Sequence, residues 1–288
     1  MPIIAIGPEM DRPTWSWVGF NLMRELSRYF DLLVYKPTGQ IPQCDVLISI
    51  KEPVSVELWN KQANTRVLYI PCDYYESEEQ LDADQAIPLY SAILCHSERL
   101  VELIRKRNKN VYFIEHDSKY FLPNLKPYKN DGFVLWVGFS RYLNILNEWL
   151  STHQISRQLV LLTDKPYELE IPGDTLQLRW TPRLQYELFT QASAALDIKG
   201  LDFNQLNKPP EKLQSYIGSG IPSACNLDSP VAGYFTSRGF NIAPPTDFER
   251  WFSLEYYNET VSFAEKLKKS MDLHSIGLQV RDIIKGLL

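Results

Sequence analysis

Short apolar or β-branched runs recur along the first two thirds of this chain, at residues 2–7, 31–35, 45–50, 66–70, 92–95 and 111–114, and again at 133–137, 159–162, 176–180, 194–198 and 223–225. Runs of this length, set between polar and turn-forming stretches, predict buried strands. Between them, apolar residues return at helical spacing over 18–30, 98–107, 142–150 and 184–192, and two further helical stretches, 260–269 and 276–288, close the chain. Ser97 stands where the N-cap of the helix from Glu98 is expected. Strands alternating with helices predict an α/β protein with mostly parallel sheets.

The pattern lapses between 118 and 131 into Pro, Lys, Asn and Tyr without periodicity, which predicts an interdomain linker. The expected domains are residues 1–125 and 126–288, the last helices of the second packing back on the first. A length of 288 residues accommodates two domains of ordinary size.

One stretch stands out against this alternation. From Lys208 to Pro222, two prolines precede a short helix whose Leu213, Tyr216 and Ile217 share a face, and Gly218 and Gly220 end it. Its unpaired N–H groups and positive dipole end, with Lys208 and Lys212 within about one turn, suit a phosphate.

Composition narrows the partners. A net charge of -5 argues against nucleic acid, whose binding by counterion release needs a basic surface. Cys44, Cys72, Cys95 and Cys225 show no C-x-x-C spacing and read as buried thiols of a reducing compartment, so a cytoplasmic location is expected. No apolar run approaches the ~20 residues needed to cross a bilayer. The basic run Arg105-Lys106-Arg107 reads as the solvated C-terminal end of a helix, with a peripheral contact to anionic lipid as the second reading.

In open parallel sheets, ligands lie outside the carboxyl ends of the strands. Those ends carry residues 7–17, Lys51-Glu52, Asp73 and His96 in the first domain. In the second they carry 138–141, Asp164-Lys165, Thr181-Pro182, 199–208 and 226–228. Arg141 follows a glycine turn, an arrangement that holds an anion by backbone N–H and guanidinium together. Trp15 and Trp17 in the long first loop are packing anchors or sugar-stacking rings. The absence of G-x-G-x-x-G and Walker sequences argues against dinucleotide redox chemistry and P-loop hydrolysis. Asp82-Ala83-Asp84 lies in a generally acidic stretch and reads as a solvated face, so no metal site is expected.

The 208–222 stretch resembles the P-x-K-L-x-E-Y-x-x-x-G-x-P signature of GT-B fold glycosyltransferases of the retaining Glu-x7-Glu group, with Pro210, Lys212, Leu213, Tyr216, Gly220 and Pro222 on its positions. The strand-then-Ser turn at 93–98, the run 111–117 with Phe121 and Pro123, and Val137-Gly138-Phe139-Ser140-Arg141 are similar to further landmarks of that group, in the same order. The resemblance implies two Rossmann-like lobes facing a cleft. It implies a hexosyltransferase-like enzyme that moves a sugar from a nucleotide-diphosphate donor to a glycan, lipid or small-molecule hydroxyl, with the nucleotide sugar as co-substrate and no metal.

On that reading Arg141, Lys212 and Lys208 meet the phosphates, Thr181 borders the nucleobase, and Asn226 and Ser215 line the donor pocket. Asp73 and His96 are the candidates for acceptor activation. The two glutamates of the group are replaced by Asn207 and Ser215. Asp202 or Glu211 is the carboxylate that would take their place, and a member that binds nucleotide or glycan without turnover is the alternative.

Overall fold

Strands covered on both faces must be apolar throughout, and β3 (Val46–Ile50) and β5 (Ala92–Cys95) are buried at every position. In the computed structural model, which describes residues 1–37, 40–55, 59, 64–117, 119–166 and 170–288, they belong to a parallel six-stranded sheet. Its other strands are β1 (Ile3–Gly7), β2 (Asp31–Val34), β4 (Arg66–Ile70) and β6 (Val111–Phe113), in the order β2-β1-β3-β4-β5-β6. A π-helical turn at Trp15–Gly19 leads into α1 (Phe20–Leu26), followed by α2 (Glu78–Ala83) and α3 (Glu98–Arg105). Ser97 caps α3 by accepting from the Leu100 N–H.

The second sheet is also parallel, with β7 (Val134–Gly138), β8 (Leu159–Thr163), β9 (Thr175–Arg179), β10 (Ala194–Asp197) and β11 (Ser223–Cys225) in the order β11-β10-β7-β8-β9. Its helices are α4 (Leu143–Leu150), α5 (Pro182–Gln191), α6 (Phe203–Leu206), α7 (Glu211–Gly218), α8 (Pro230–Ser237), α9 (Phe248–Trp251) and α10 (Leu254–Ser270). The last helix, α11 (Leu273–Leu287), returns to the first sheet, where Val280 and Ile284 complete the core of Ile4, Ile6, Leu22 and Leu26.

The chain thus divides into a first unit of Met1–Asp117, Asn207–Pro209 and Ser270–Leu288, and a second of Ser118–Leu206 and Pro210–Lys269. The division falls before the expected residue 125, because the aperiodic segment is fastened to the second unit. Ser219 receives the Leu122 N–H on its Oγ and the Lys126 N–H on its carbonyl, and Tyr257 donates its hydroxyl to the Lys126 carbonyl at 2.6 Å.

The acidic stretch read as a solvated face contains α2, capped by the Ser77 hydroxyl, with Glu76, Glu78, Glu79 and Asp82 exposed. Its D-x-D carboxylates have structural partners: Asp82 pairs with Arg107, and Asp84 accepts from the Tyr75 hydroxyl at 2.6 Å and the Ala86 N–H. Cys44, Cys95 and Cys225 are buried free thiols and Cys72 is half-buried. No helix among the described residues is long and apolar enough to cross a membrane.

Candidate active site

The strand order of the second sheet reverses between β7 and β10, and a ligand crevice forms where such an order reverses. β7 ends there in Gly138 and β10 in Asp197. Asp197 is 1% exposed, and a carboxylate so buried requires counter-charge. It receives two: Lys199 Nζ lies 2.9 Å from Oδ2, and Lys212 Nζ, carried on the first turn of α7, lies 2.9 Å from Oδ1. Burial works to raise the Asp197 pKa, but the two ammonium groups outweigh it and hold the carboxyl below its ordinary range. Burial lowers the Lys212 pKa against the pull of Asp197.

Lys212 also sits 4.4 Å above the Trp136 ring, and a Cβ at Gly138 would stand 3.2 Å from its Nζ. Glycine at 138 is therefore what lets the ammonium reach the end of β7. The side chain of Lys212 remains 23% exposed, so the cluster is open on one side. With Asp197 and both lysines ionised, the three side chains carry one net positive charge.

The other expected donor residues fall into two kinds. Arg141 is exposed on a short helical turn, Ser140–Tyr142, with its guanidinium 4.8 Å from the Tyr142 ring centroid and 5.4 Å from that of Phe139. Among the described residues it forms no ion pair, so its charge is available. The Ser140 N–H of the same turn is taken by Asp164 at 2.7 Å, and although burial opposes it, this bond helps to hold the Asp164 pKa down. That turn offers a guanidinium, but this N–H is not available to an anion.

Thr181, Asn226 and Ser215 have local duties. Thr181 accepts from the Leu184 N–H as the N-cap of α5. Asn226 clamps the Lys199 backbone, accepting from its N–H at 2.9 Å and donating to its carbonyl at 3.3 Å. It thereby fixes the segment from which the Lys199 ammonium reaches Asp197. Ser215 is buried inside α7, 6% exposed, and Asn207 is 8% exposed. Asp202 accepts from the Gln205 N–H at the start of α6, and Glu211 pairs with Lys119. Ser229 caps α8, with Pro230 in its first turn.

In the first unit the order reverses between β1 and β3, and the neighbouring strand ends are strained. Lys51 after β3 has φ 66° and Cys72 after β4 has φ 50°, left-handed conformations that cost non-glycine residues about 1 kcal/mol or more each. They flank an ion pair of 2.9 Å between Lys51 and Asp73. Burial raises the Asp73 pKa, but Lys51 holds it below its ordinary range, with the charge of Lys208 adding to the effect. Asp73 is a weak base in this state.

His96, after β5, is 7% exposed and lies against His116, with ring centroids 4.3 Å apart and planes tilted by 35°. Its Nδ1 lies 3.2 Å from the Ile114 carbonyl. A carbonyl only accepts, so Nδ1 carries a proton, and in the neutral form of the ring Nε2 is the acceptor nitrogen. Beyond His116, Asp117 accepts from the Asn21 amide at 2.7 Å. Trp15 is a packing anchor, 9% exposed, against which Gly19 closes.

The sequence matches no protein-family model and no curated protein. Solved structures do match over the whole chain. Sucrose-phosphate synthase from Thermosynechococcus elongatus has a TM-score of 0.65 at 11% identity, covering 99% of this chain and 98% of its own. HepE from Anabaena, solved with UDP and glucose, has a TM-score of 0.64 at 10% identity, covering 99% and 100%. WaaG, a glycosyltransferase of lipopolysaccharide biosynthesis, has a TM-score of 0.57 at 14% identity with the same coverage.

The chain has the GT-B fold. Within that fold the sequence pointed to Lys212 and Arg141 but not to Asp197, the residue that holds Lys212 in place. Its only signal was an acidic residue inside the apolar run 194–198.

Proposed function

We propose that this GT-B chain is a glycosyltransferase that transfers a sugar from a nucleotide-diphosphate donor to an acceptor hydroxyl. The observation that carries the reading is the net-positive Lys199–Asp197–Lys212 cluster at the point where the strand order of the second sheet reverses. As the glycosidic bond breaks, the departing diphosphate gains negative charge. Ammonium groups already held in position stabilise that charge without reorganising, and this is the largest kind of catalytic contribution. Lys212 and Arg141 meet the phosphates in this reading, and Asp197 and Asn226 position the lysines. Cations of the chain itself do this work, so the transfer is metal-independent.

His96 is the better acceptor base of the two candidates, since with Nδ1 bonded to the Ile114 carbonyl its neutral form presents Nε2 as the basic nitrogen, while Asp73 is held ionised by Lys51. The acceptor is a glycan, a lipid or a small molecule. HepE was solved with UDP and glucose, so uridine diphosphate sugars are the first donors to test.

A second reading, a nucleotide or glycan binder without turnover, draws on Asn207 and Ser215, which stand buried where the resembling group carries glutamates. A thermal-shift panel of nucleotide sugars followed by a turnover assay separates the two. A donor at ~100 times its Kd raises stability by about 2.7 kcal/mol. Lys212→Ala and Arg141→Ala are expected to abolish the shift, and a full shift in both variants removes the phosphate site. Shifts without consumption of any donor across a wide acceptor panel establish the binder.

A further inference from the structure

At the opposite end of the second sheet, the chain entering β7 and β8 and the last turn of α5 line an open crevice of about 530 Å³. Its size is within the range of small-ligand sites. Its lining is of a different kind: Lys129, Asn130, Asp131, Arg157, Gln158 and Gln191 supply charged and amide groups, where pockets for apolar ligands are walled by hydrocarbon.

Arg157 is held rigidly at its wall. Nη1 donates to Ser193 Oγ at 3.1 Å, Nη2 donates to Asn130 Oδ1 at 2.8 Å, and the guanidinium carbon lies 3.8 Å from the centroid of the Phe252 ring. A guanidinium has five N–H donors, so this anchoring leaves others for a ligand. Among the described residues, no carboxylate pairs with Arg157 or with Lys129.

Lys126, outside the lining but within reach of the Lys129 charge, adds positive charge. It is 2% exposed, donates to the Pro127 carbonyl, and is pushed down to about 8 by burial and by the charge of Lys129. Within the lining, Lys129 and Arg157 stand against the carboxylate of Asp131, with Asp174 outside the lining and bonded to Gln158 at 3.2 Å; with Lys126 added, the balance of charge favours an anion. Asn130 Nδ2, Gln158 Oε1 and the Gln191 amide, the Asn130 oxygen being taken by Arg157 and the Gln158 nitrogen by Asp174, match the paired donor and acceptor character of sugar hydroxyls.

We propose that this crevice is a second saccharide site, distinct from the donor site, and that it takes a sugar bearing a carboxylate or a phosphate ester. It lies at the amino ends of the strands, whereas the donor cluster lies at their carboxyl ends. Occupation of one therefore does not require the other.

The test is a titration of the full isotope-labelled chain, followed by amide shifts, with glucuronate and with glucose 6-phosphate, against glucose and inorganic phosphate as controls. Saturable shifts confined to residues 129–133, 157, 158 and 191 with either acidic sugar support the site, and which of the two binds assigns the acid group. Lys129→Glu, an exposed substitution that leaves the fold alone, is expected to weaken binding about tenfold or more, as is Arg157→Gln. The proposal is overturned by no response at millimolar concentrations, or by a response to glucose or inorganic phosphate equal to that of the acidic sugars. Shifts centred on Gly138 and Lys212, or unchanged affinity in Lys129→Glu, overturn it equally.

Discussion

At the scale of single residues, two buried charges show how differently burial is met. Asp197 has two ammonium partners, and its pKa lies below the ordinary 3.8. Its stabilising contribution is complete above that ordinary value and is lost only as pH falls through the lower folded one. Asp197→Asn removes the shared counter-charge and leaves Lys199 and Lys212 facing each other. We expect a loss of about 3–5 kcal/mol in urea denaturation at neutral pH, together with the loss of any nucleotide-induced thermal shift.

Lys126 is the reverse case, a buried ammonium with a pKa of about 8 against an ordinary 10.5. Between those values the unfolded chain binds the proton more strongly, so stability rises with pH across that window. The penalty at neutral pH is up to about 3 kcal/mol. Lys126→Met is expected to raise the urea midpoint at pH 7, and the gap to the parent chain is expected to close between pH 8 and 10.5.

At the scale of elements, the end of β7 and the start of α7 are adjusted to each other. A Cβ at position 138 would stand 2.7 Å from the Trp136 ring and 3.2 Å from Lys212 Nζ. Gly138→Ala is expected to cost about 1–3 kcal/mol by overpacking. It is also expected to displace Lys212, so that the thermal shift with a nucleotide sugar is lost while the fold survives. Gly233 in α8 has no neighbour within 4 Å of its Cβ position. Gly233→Ala, scored in the same assay, is expected to keep the shift and gain up to about 1 kcal/mol from helix propensity.

At the scale of the whole molecule, the first unit is finished only by the last helix. α11 buries Ile276, Val280 and Ile284, and Gly277 packs tightly on the Cβ of Glu25. Glu25 is 4% exposed, with Arg28 at 3.0 Å and His274 at 3.3 Å. A chain ending at Ser270 is expected to lose the first unit and keep the second. Hydrogen exchange reads the difference directly: amides of β1 and β3 become unprotected while those of β7 and β8 stay protected. Equal protection of both sheets in the truncated chain would contradict the assignment of α11 to the first core.

The strands were legible because a parallel sheet covered on both faces must be written in continuous apolar runs, and the runs at 45–50, 92–95 and 159–162 fall on β3, β5 and β8 within a residue or two. The short helices α2, α6 and α9 were not, since four to six residues carry too few apolar positions to show a helical period. Of the proposed donor site, Arg141 and Lys212 could be read because glycine turns and helix starts have local chemistry. What the sequence by itself determined is therefore the alternation, the two α/β units and the residues that local rules place at strand ends. Which of those residues act together was decided by the tertiary structure. Asp197, Lys199 and Lys212 meet through a parallel sheet and a helix laid across it, Asp164 takes the Ser140 N–H, and Lys51 and Cys72 accept left-handed backbone. The meeting of Lys212 with Asp197 and of Asp164 with Ser140 does not follow from neighbours in the chain, because desolvation and charge pairing depend on distance in space and not on separation in sequence.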